Sequence, residues 1–360
     1  MASDQGVYST TEGTGAMIDT KHVGKTAQGD DILLVTLANN GMVARILSLG
    51  AILQSVEVPD REGQRRDVVL GFENPLDYVG STTYFGQVVG RYANRIRGAH
   101  FTLEGVGHNL EANEGANTLH SGSSNWGWHN WCAETFMLGD DPGVVLSYYS
   151  PAEQGGFPSA VNCTVTYLLK ADGSLVIDYE ATADGPTPIN LTNHSYFNLA
   201  GAASGTILEH ELQLHCDRYL PVDNELLPTG ELIAVQNTPF DFTTSKLIGR
   251  DIEAAGGYDH CFVFSDESEE LKHVATVREQ KSGRTLDVHT TLPAVQFYSG
   301  NFLDGSVNGK GGAAYPQHGG FCLETQFYPD SPNQQHFPST IFSKERPYKH
   351  TTVFKFSAKG

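Results

Sequence analysis

Hydrophobic and polar residues alternate along most of the chain, a pattern typical of β-strands with one buried face. Residues 161–184 show it most clearly, because the alternation runs up to the pair Asp172-Gly173 and resumes directly after it. Two alternating runs joined by such a pair predict a β-hairpin. Residues 273–292 repeat this pattern, and residues 40–58 predict a strand, a glycine-marked bend and a second strand.

Helical patterns are few. Residues 245–257 give one candidate, with Ile248 and Ile252 four positions apart and Gly256 as its expected end. The sequence contains no regular internal repeat and no linker rich in Pro, Gly or Ser. The prediction is therefore an all-β fold, one large antiparallel β-sandwich with few short helices. We expect residues 17–360 to form it as a single domain, after a disordered N-terminal segment at residues 1–16.

The charge balance narrows the possible partners. The 360 residues include 23 Lys and Arg against 42 Asp and Glu, which gives a formal net charge of -19 at pH 7. A surface this acidic repels phosphate backbones and anionic lipids, so neither nucleic acid nor membrane is an expected partner. The negative charge is more compatible with a neutral small molecule, such as a monosaccharide, that is recognised through local polar contacts. We expect a monomer or a homodimer.

The cysteines and the N-terminus indicate the compartment. The cysteines are odd in number and nowhere spaced as a metal or redox pair, which predicts free thiols in a reducing compartment: Cys132, Cys163, Cys216, Cys261 and Cys322. The first residues lack the basic and apolar regions of a secretory signal, and no apolar run reaches transmembrane length. The expected location is the cytoplasm.

Two loops carry polar residues suited to a site. Asn94 and Arg95 stand among small and apolar residues, and the guanidinium of Arg95 offers five donors for hydroxyl oxygens or for a structural carboxylate. His120 precedes Ser121-Gly122, a turn that can hold an imidazole towards a cleft, although core and surface histidines are common. Three tryptophans follow at residues 126–131, where either sugar stacking or core packing is possible.

A polar strand face is predicted at residues 191–198. In a strand, Thr192, His194, Tyr196 and Asn198 share one face, while apolar neighbours face the core. A central histidine on such a face indicates a cleft wall or a solvated sheet surface.

Acidic and amide groups occur in three further apolar segments. Asp259 opens an apolar strand, where it suits either sugar hydroxyls or a turn, and Gln296 lies within the apolar run 294–298. Glu324 shares a strand face with Cys322 inside another apolar segment. Burial raises a carboxyl pKa above its ordinary value of about 4.3, and a buried glutamate is usually paired or functional because burying it alone is costly.

Six segments containing these residues resemble, in the same order, segments of the galactose mutarotase (aldose 1-epimerase) family: GRYANRI, NTLHSG, LTNHSYFNLAG, GYDH, AVQFYSGN and GFCLETQFYPDSPN. They span residues 90–333. The resemblance implies the large β-sandwich of that family. It also implies an isomerase without a cofactor that interconverts the α and β anomers of a free aldose, such as galactose or glucose, by acid/base ring opening and reclosure.

The resemblance also implies individual roles. It makes Glu324 the catalytic base and His194 the acid. Sugar-binding roles fall to Asn94, Arg95, His120, Asp259 and Gln296. One departure is visible, since the family commonly has glycine where Ser121 stands.

Three other functions remain open at this stage. An epimerase of a phosphorylated hexose needs additional cationic contacts. A non-catalytic carbohydrate-binding protein on the same scaffold does not need both Glu324 and His194, and a polysaccharide-cleaving sandwich enzyme would release reducing ends from polymer. The sequence contains no HxH or HExxH motif, so the spacing of its histidines does not predict a metal site. The preferred aldose does not follow from the sequence.

Overall fold

The structure is a computed structural model that describes residues 15–265 and 268–358. The predicted disordered segment, residues 1–16, lies outside the described residues except for residues 15 and 16. None of the helices in the described part is long and apolar enough to cross a membrane.

Strands dominate the described chain. In chain order they are β1 (Met17–Lys25), β2 (Asp31–Asn39), β3 (Met42–Leu47), β4 (Leu53–Pro59), β5 (Arg65–Asp67), β6 (Val88–Val89), β7 (Arg95–Ile96), β8 (His100–Leu103), β9 (Val106–Asn109), β10 (Thr118–Leu119), β11 (Cys132–Leu138), β12 (Asp141–Ser150), β13 (Val161–Leu169), β14 (Ser174–Ala183), β15 (Thr187–Pro188), β16 (Thr192–Asn193), β17 (Glu211–Leu214), β18 (Arg218–Tyr219), β19 (Ile233–Ala234), β20 (Lys246–Leu247), β21 (Asp259–Val263), β22 (Lys272–Arg278), β23 (Arg284–Thr290), β24 (Ala294–Tyr298), β25 (Cys322–Gln326), β26 (Ile341–Phe342) and β27 (Tyr348–Ala358).

Helices are short, as predicted. The α-helix α1 spans Ile252–Ala255, directly after a 3-10 turn at Ile248–Arg250, and it ends at Gly256 in a left-handed conformation. The other 3-10 turns are Pro75–Tyr78, Arg97–Ala99, Gly122–Ser124, Trp126–Trp128, Gln154–Gly156, Lys310–Gly312 and Ser331–Asn333.

Three sheets organise the fold. The largest has nine strands in the order β11-β12-β13-β14-β27-β23-β22-β17-β20. A five-stranded sheet, β1-β2-β3-β4-β5, packs on it through β2 and β4, which contact β12, β13 and β27. The third sheet has the order β19-β18-β21-β24-β25. The strands of these sheets pair antiparallel, as in β13–β14 and β24–β25.

The hairpin predicted at residues 161–184 is present as β13 and β14, paired from Val161↔Ala183 to Leu169↔Leu175. Its inward side chains, among them Tyr167 and Ile177, are fully buried. The turn needs glycine at Gly173, because φ is +87° and a Cβ there would lie 2.4 Å from the carbonyl oxygen of Phe356. The hairpin predicted at residues 273–292 is also present, as β22–β23, and the two strands predicted at residues 40–58 are present as the paired strands β3 and β4.

One core joins the three sheets. Its members include Val35 from β2, Ile177 from β14 and Phe297 from β24. The alternation seen in the sequence supplies the inward faces, and their burial is the main force that holds the sheets together. The third sheet presents its other face to a cleft.

Candidate active site

The third sheet brings the predicted acidic and amide groups together. Gln296 on β24 is directly opposite Glu324 on β25, and Asp259 begins β21 in the adjacent row, opposite Tyr298. Opposed residues and alternate residues of a strand share a face. The side chains of Asp259, Gln296 and Glu324 therefore project from one face of the sheet.

This face forms the floor of a cleft of about 330 Å³. Loops from distant parts of the chain complete its walls. The predicted residues that line it are Asn94, Arg95, His120, His194, Asp259 and Glu324. Tyr84, Glu114, Tyr196, Tyr298, Phe302 and Asp304 also line it.

Glu324 and His194 face each other inside the cleft. Oε2 of Glu324 lies 3.6 Å from Nε2 of His194, and the two residues are 3% and 5% exposed. Oε2 is buried and has no hydrogen-bond partner among the described residues, although a buried carboxylate oxygen without a partner is costly. On the other side of the ring, Nδ1 of His194 lies 3.6 Å from Sγ of Cys322.

Burial shifts both groups towards their neutral forms. It raises the pKa of Glu324 well above the ordinary value, and Asp259 adds to this while Arg95 opposes it. Burial lowers the pKa of His194 to about 4. At neutral pH burial therefore favours a neutral imidazole, with any shared proton on Glu324. The elevated carboxyl pKa predicted from the sequence is confirmed.

Arg95 and His120 are held by their own loops. Asn94 accepts the backbone N–H of Arg95 with Oδ1 at 2.9 Å, and its own backbone N–H donates to Nδ1 of His120 at 3.0 Å. His120 in turn donates its backbone N–H to the carbonyl oxygen of Asn94. These contacts fix the two loops against each other beside Glu324 and His194.

Asp259 and Gln296 act as a unit. Nε2 of Gln296 donates to Oδ1 of Asp259 at 2.7 Å, and Nη1 of Arg95 lies 3.8 Å from Oδ2. Gln296 is 3% exposed and is not among the residues that line the cleft. Burial raises the pKa of Asp259, whereas Arg95 and the Gln296 hydrogen bond lower it.

Known proteins are similar to this chain in sequence and in architecture. The family model described as aldose 1-epimerase matches residues 33–355. Galactose mutarotase from Bos taurus is 46% identical over 314 residues, which cover 87% of this chain and 90% of the relative. The chain belongs to the aldose 1-epimerase family.

Other members support the assignment. Aldose 1-epimerase from Escherichia coli (strain K12) is 36% identical over 339 residues, 92% of this chain and 96% of the relative. Among solved structures, galactose 1-epimerase from Lactobacillus acidophilus matches with a TM-score of 0.84 and 26% identity, covering 96% of this chain and all of that one. An aldose epimerase homologue from C. elegans matches with a TM-score of 0.82 and 29% identity, with the same coverage. The predicted family, all-β sandwich and isomerase class are confirmed.

One part of the site differs from the prediction in this family member. Residues 191–198 are not one strand, because only Thr192–Asn193 forms β16 and Phe197 makes isolated bridges. Oδ1 of Asn193 accepts both the backbone N–H and the hydroxyl of Ser195, and this local turn interrupts the ladder. Alternation therefore fails as a guide here. His194 and Tyr196 do line the cleft, but the amide of Asn198 donates to the carbonyls of Gly205 and Gly319 instead.

Ser121, the departure from the family pattern, has a structural explanation. Its φ is 64°, a conformation that favours glycine. The hydroxyl accepts the backbone N–H of Tyr92 at 2.9 Å and donates to the carbonyl of Tyr92 at 3.2 Å. These two bonds tie the turn after His120 to the segment that carries Arg95, which compensates for the strained backbone.

His120, His194 and Glu324 each offer a potential metal-ligand atom, all within 4.8 Å of one another. The hydrogen bonding of His120 favours another use. Because Nδ1 accepts from Asn94, the neutral ring carries its proton on Nε2. Burial lowers the pKa of His120 well below its ordinary value, which keeps the ring neutral. His120 therefore presents an N–H donor to the cleft rather than a ligand lone pair.

Tyr84 and Glu114 are among the cleft residues that the sequence pattern does not indicate. The ring of Tyr84 packs against His120 and His194 at centroid distances of 4.7 and 5.5 Å. Glu114 pairs with Arg95 through two hydrogen bonds of 2.6 and 2.9 Å. Both lie in loops without periodicity, so no pattern marks them.

The tryptophans divide between two environments. Trp126 and Trp131 are 1% and 2% exposed and belong to the core, whereas Trp128 packs against Tyr84 at 5.6 Å. Core packing is therefore the correct interpretation of the first two. Trp128 is only partly buried and contacts Tyr84, which lines the cleft.

Proposed function

We propose that this chain interconverts the α and β anomers of a free aldose, with Glu324 as base and His194 as acid. The observation that carries this proposal is the unpartnered Oε2 of Glu324, buried in the cleft and 3.6 Å from Nε2 of His194. An anomeric hydroxyl that donates to this oxygen would satisfy it, and the neighbouring ring oxygen of the sugar could then lie against the imidazole.

The reaction needs only proton transfers. Glu324 removes the proton of the anomeric hydroxyl while His194 donates one to the ring oxygen, and the bond between C1 and the ring oxygen breaks. The resulting aldehyde rotates about the bond from C1 to C2. On closure the ring oxygen attacks the other face of C1 and returns its proton to His194, and Glu324 protonates the new anomeric oxygen. Each positioned group contributes about 10²–10⁴ in rate.

The pair keeps one proton throughout this cycle. Protonated Glu324 with neutral His194, the form that burial favours, has the same number of protons as ionised Glu324 with charged His194. These are the two forms that exchange during ring opening and closure. A sugar hydroxyl donating to Oε2 stabilises the ionised carboxylate, so binding moves the proton towards His194.

The remaining polar groups suit the sugar hydroxyls. Arg95 and the Nε2–H of His120 provide donors, and Asp259 provides acceptor oxygens. Asn94 contributes by positioning both loops, and Gln296 contributes by holding Asp259.

The charges of the cleft disfavour a phosphorylated hexose. Among the described residues that line it, Arg95 is the one permanent cation, and Glu114 already pairs with it. Asp259, Asp304 and Glu324 add further acidic groups. A phosphate dianion would find repulsion and no free cation. A non-catalytic sugar-binding role leaves the buried, facing pair of Glu324 and His194 without a purpose.

The direct test is polarimetry on freshly dissolved α-anomers of galactose, glucose, xylose and arabinose. We expect mutarotation well above the spontaneous rate for at least one aldose, and none above it for hexose 6-phosphates. Binding of these sugars without any acceleration would contradict the proposal and favour a carbohydrate-binding protein. Release of reducing ends from a polysaccharide would favour the hydrolytic alternative.

The pH dependence follows from the single shared proton. Below about pH 4 His194 is protonated as well as Glu324, so the pair lacks a base. Above the raised pKa of Glu324 the pair holds no proton and lacks an acid. We expect kcat/KM to be bell-shaped, with its acid limb near pH 4 and its alkaline limb well above the ordinary glutamate range. Initial rates, corrected for spontaneous mutarotation at each pH, measure this; a rate that keeps rising to pH 10 would contradict it.

We also propose a cytoplasmic protein that acts as a monomer or a homodimer on a monosaccharide. The five free thiols support a reducing compartment. The cleft is lined by residues of one chain, so a single copy provides every group that the mechanism uses.

A further inference from the structure

Glu114 lies on the loop between β9 and β10, and this loop is pinned in place. The backbone of Glu114 exchanges two hydrogen bonds with that of Asn117, at 3.1 and 2.9 Å. The side chain of Asn113 accepts the backbone N–H of Leu119 at 2.8 Å and donates to its carbonyl at 3.0 Å. The loop is thereby attached to the strand that leads into His120, so Glu114 has a fixed position at the cleft wall.

The carboxylate of Glu114 grips two edges of the Arg95 guanidinium. Oε2 accepts from Nε at 2.6 Å and Oε1 accepts from Nη2 at 2.9 Å. Such a two-point contact fixes the plane of the guanidinium as well as its position. The remaining nitrogen, Nη1, is 3.8 Å from Oδ2 of Asp259, and both residues line the cleft. The Arg95 side chain is 5% exposed, whereas that of Glu114 is 37% exposed and forms part of the cleft rim.

The carboxyl groups of Glu114, Asp259 and Glu324 all interact electrostatically with the Arg95 guanidinium. Arg95 lowers the pKa of Asp259 and of Glu324, against the effect of burial, and Glu114 raises the pKa of Asp259. The charge of Glu114 therefore offsets part of the positive charge that Arg95 exerts on the floor of the cleft. Without it, the ionised form of Asp259 would be more stable, and the Arg95 guanidinium that favours ionised Glu324 would lose its paired counter-charge.

We propose that Glu114 is a positioning residue of the reaction: it orients the Arg95 guanidinium towards the sugar and limits the positive charge that reaches Glu324. This inference rests on the proposed function of the same site. It adds to that site a residue that touches neither of the two catalytic groups.

The test compares Glu114→Gln with Glu114→Asp. Glu114→Gln removes the charge and one of the two acceptors, so we expect KM to rise roughly tenfold while kcat changes less. The alkaline limb of kcat/KM should also move to lower pH, because the unpaired guanidinium stabilises ionised Glu324. Glu114→Asp keeps the charge but shortens the reach, so KM should rise while the alkaline limb stays in place.

Glu111→Gln is the matched control on the same loop, since Glu111 hydrogen-bonds to Ser123 and does not line the cleft. It should leave both KM and the alkaline limb unchanged. A Glu114→Gln enzyme with wild-type KM and an unmoved limb would overturn the inference. If Glu114→Gln does not fold, as judged by circular dichroism, a wild-type KM in Glu114→Asp would overturn it.

If the proposed function is wrong, these experiments give a different result. In that case the wild-type chain itself would not accelerate mutarotation, whatever residue stands at 114. Sugar affinity, measured by calorimetry on the wild type and on Glu114→Gln, would still test whether Glu114 orients Arg95. Equal affinities would then overturn the inference independently.

Discussion

Replacing Glu324 with Gln is expected to lower kcat by about 10²–10⁴, which corresponds to about 2.7–5.4 kcal/mol of transition-state stabilisation. Glutamine has nearly the same shape, so it fits between Gln296 and the cleft without a cavity, but it cannot take the proton of the anomeric hydroxyl. Sugar affinity should change less, because the base acts mainly in the transition state. Polarimetry of fresh α-galactose measures the rate, and calorimetry measures the affinity.

A suitable control is Glu180→Gln, which removes a carboxylate that is 61% exposed on the outer surface of β14. It should retain the wild-type rate. Near-full turnover by Glu324→Gln would reject Glu324 as the base. A loss of rate matched by an equal loss of affinity would assign it to sugar binding instead.

The second large effect is expected for His194→Ala, again a fall in kcat of about 10²–10⁴ with a smaller effect on binding. The ring stacks between Tyr84 and Tyr196, at centroid distances of 5.5 and 5.2 Å, so its removal leaves a flat slot beside Glu324. Added imidazole can occupy this slot and carry the proton. We therefore expect imidazole to restore part of the rate of His194→Ala in a concentration-dependent manner.

Rescue by imidazole distinguishes a role of His194 in acid catalysis from a role in packing. Imidazole should not rescue Glu324→Gln, which retains His194 and lacks the base. A His194→Ala enzyme that is folded, as shown by circular dichroism, and that keeps the wild-type rate would exclude His194 as the acid. Equal stimulation of both variants would show that imidazole acts in solution rather than in the slot.

Alternation predicted those parts of the fold in which a strand has one buried face. Tyr167 on β13 and Ile177 on β14 are examples, since each faces the core and its sequence neighbours do not. Alternation failed as a guide at residues 191–198. There the side-chain oxygen of Asn193 accepts the backbone N–H of Ser195, and this local hydrogen bond takes the place of strand pairing. Local hydrogen bonds of this kind compete with pairing and leave no trace in the hydrophobic pattern.

The strand pattern drew attention to the acidic residues of the candidate site, whereas Asn94 and His120, which lie in loops, were assigned roles through the family resemblance. Glu324 and Asp259 lie in apolar strands, where an acidic side chain is unusual because its burial is costly. Glu114 and Tyr84 stand in loops, where polar and aromatic residues are ordinary. Their importance depends on what they approach in space, Arg95 in one case and the two imidazoles in the other, and a single sequence does not contain those distances.

The position of β27 has a consequence for how the chain is made. This strand, the last of the described chain, lies in the middle of the nine-stranded sheet, between β14 and β23. During synthesis, β11–β14 and β17–β23 can each begin to pair, but their inner edges stay open until Tyr348–Ala358 emerges from the ribosome. Unpaired edges of this kind can bind other chains. We expect a ribosome-stalled chain ending before Tyr348 to depend on chaperones, and the completed chain to gain protease resistance in a single late step.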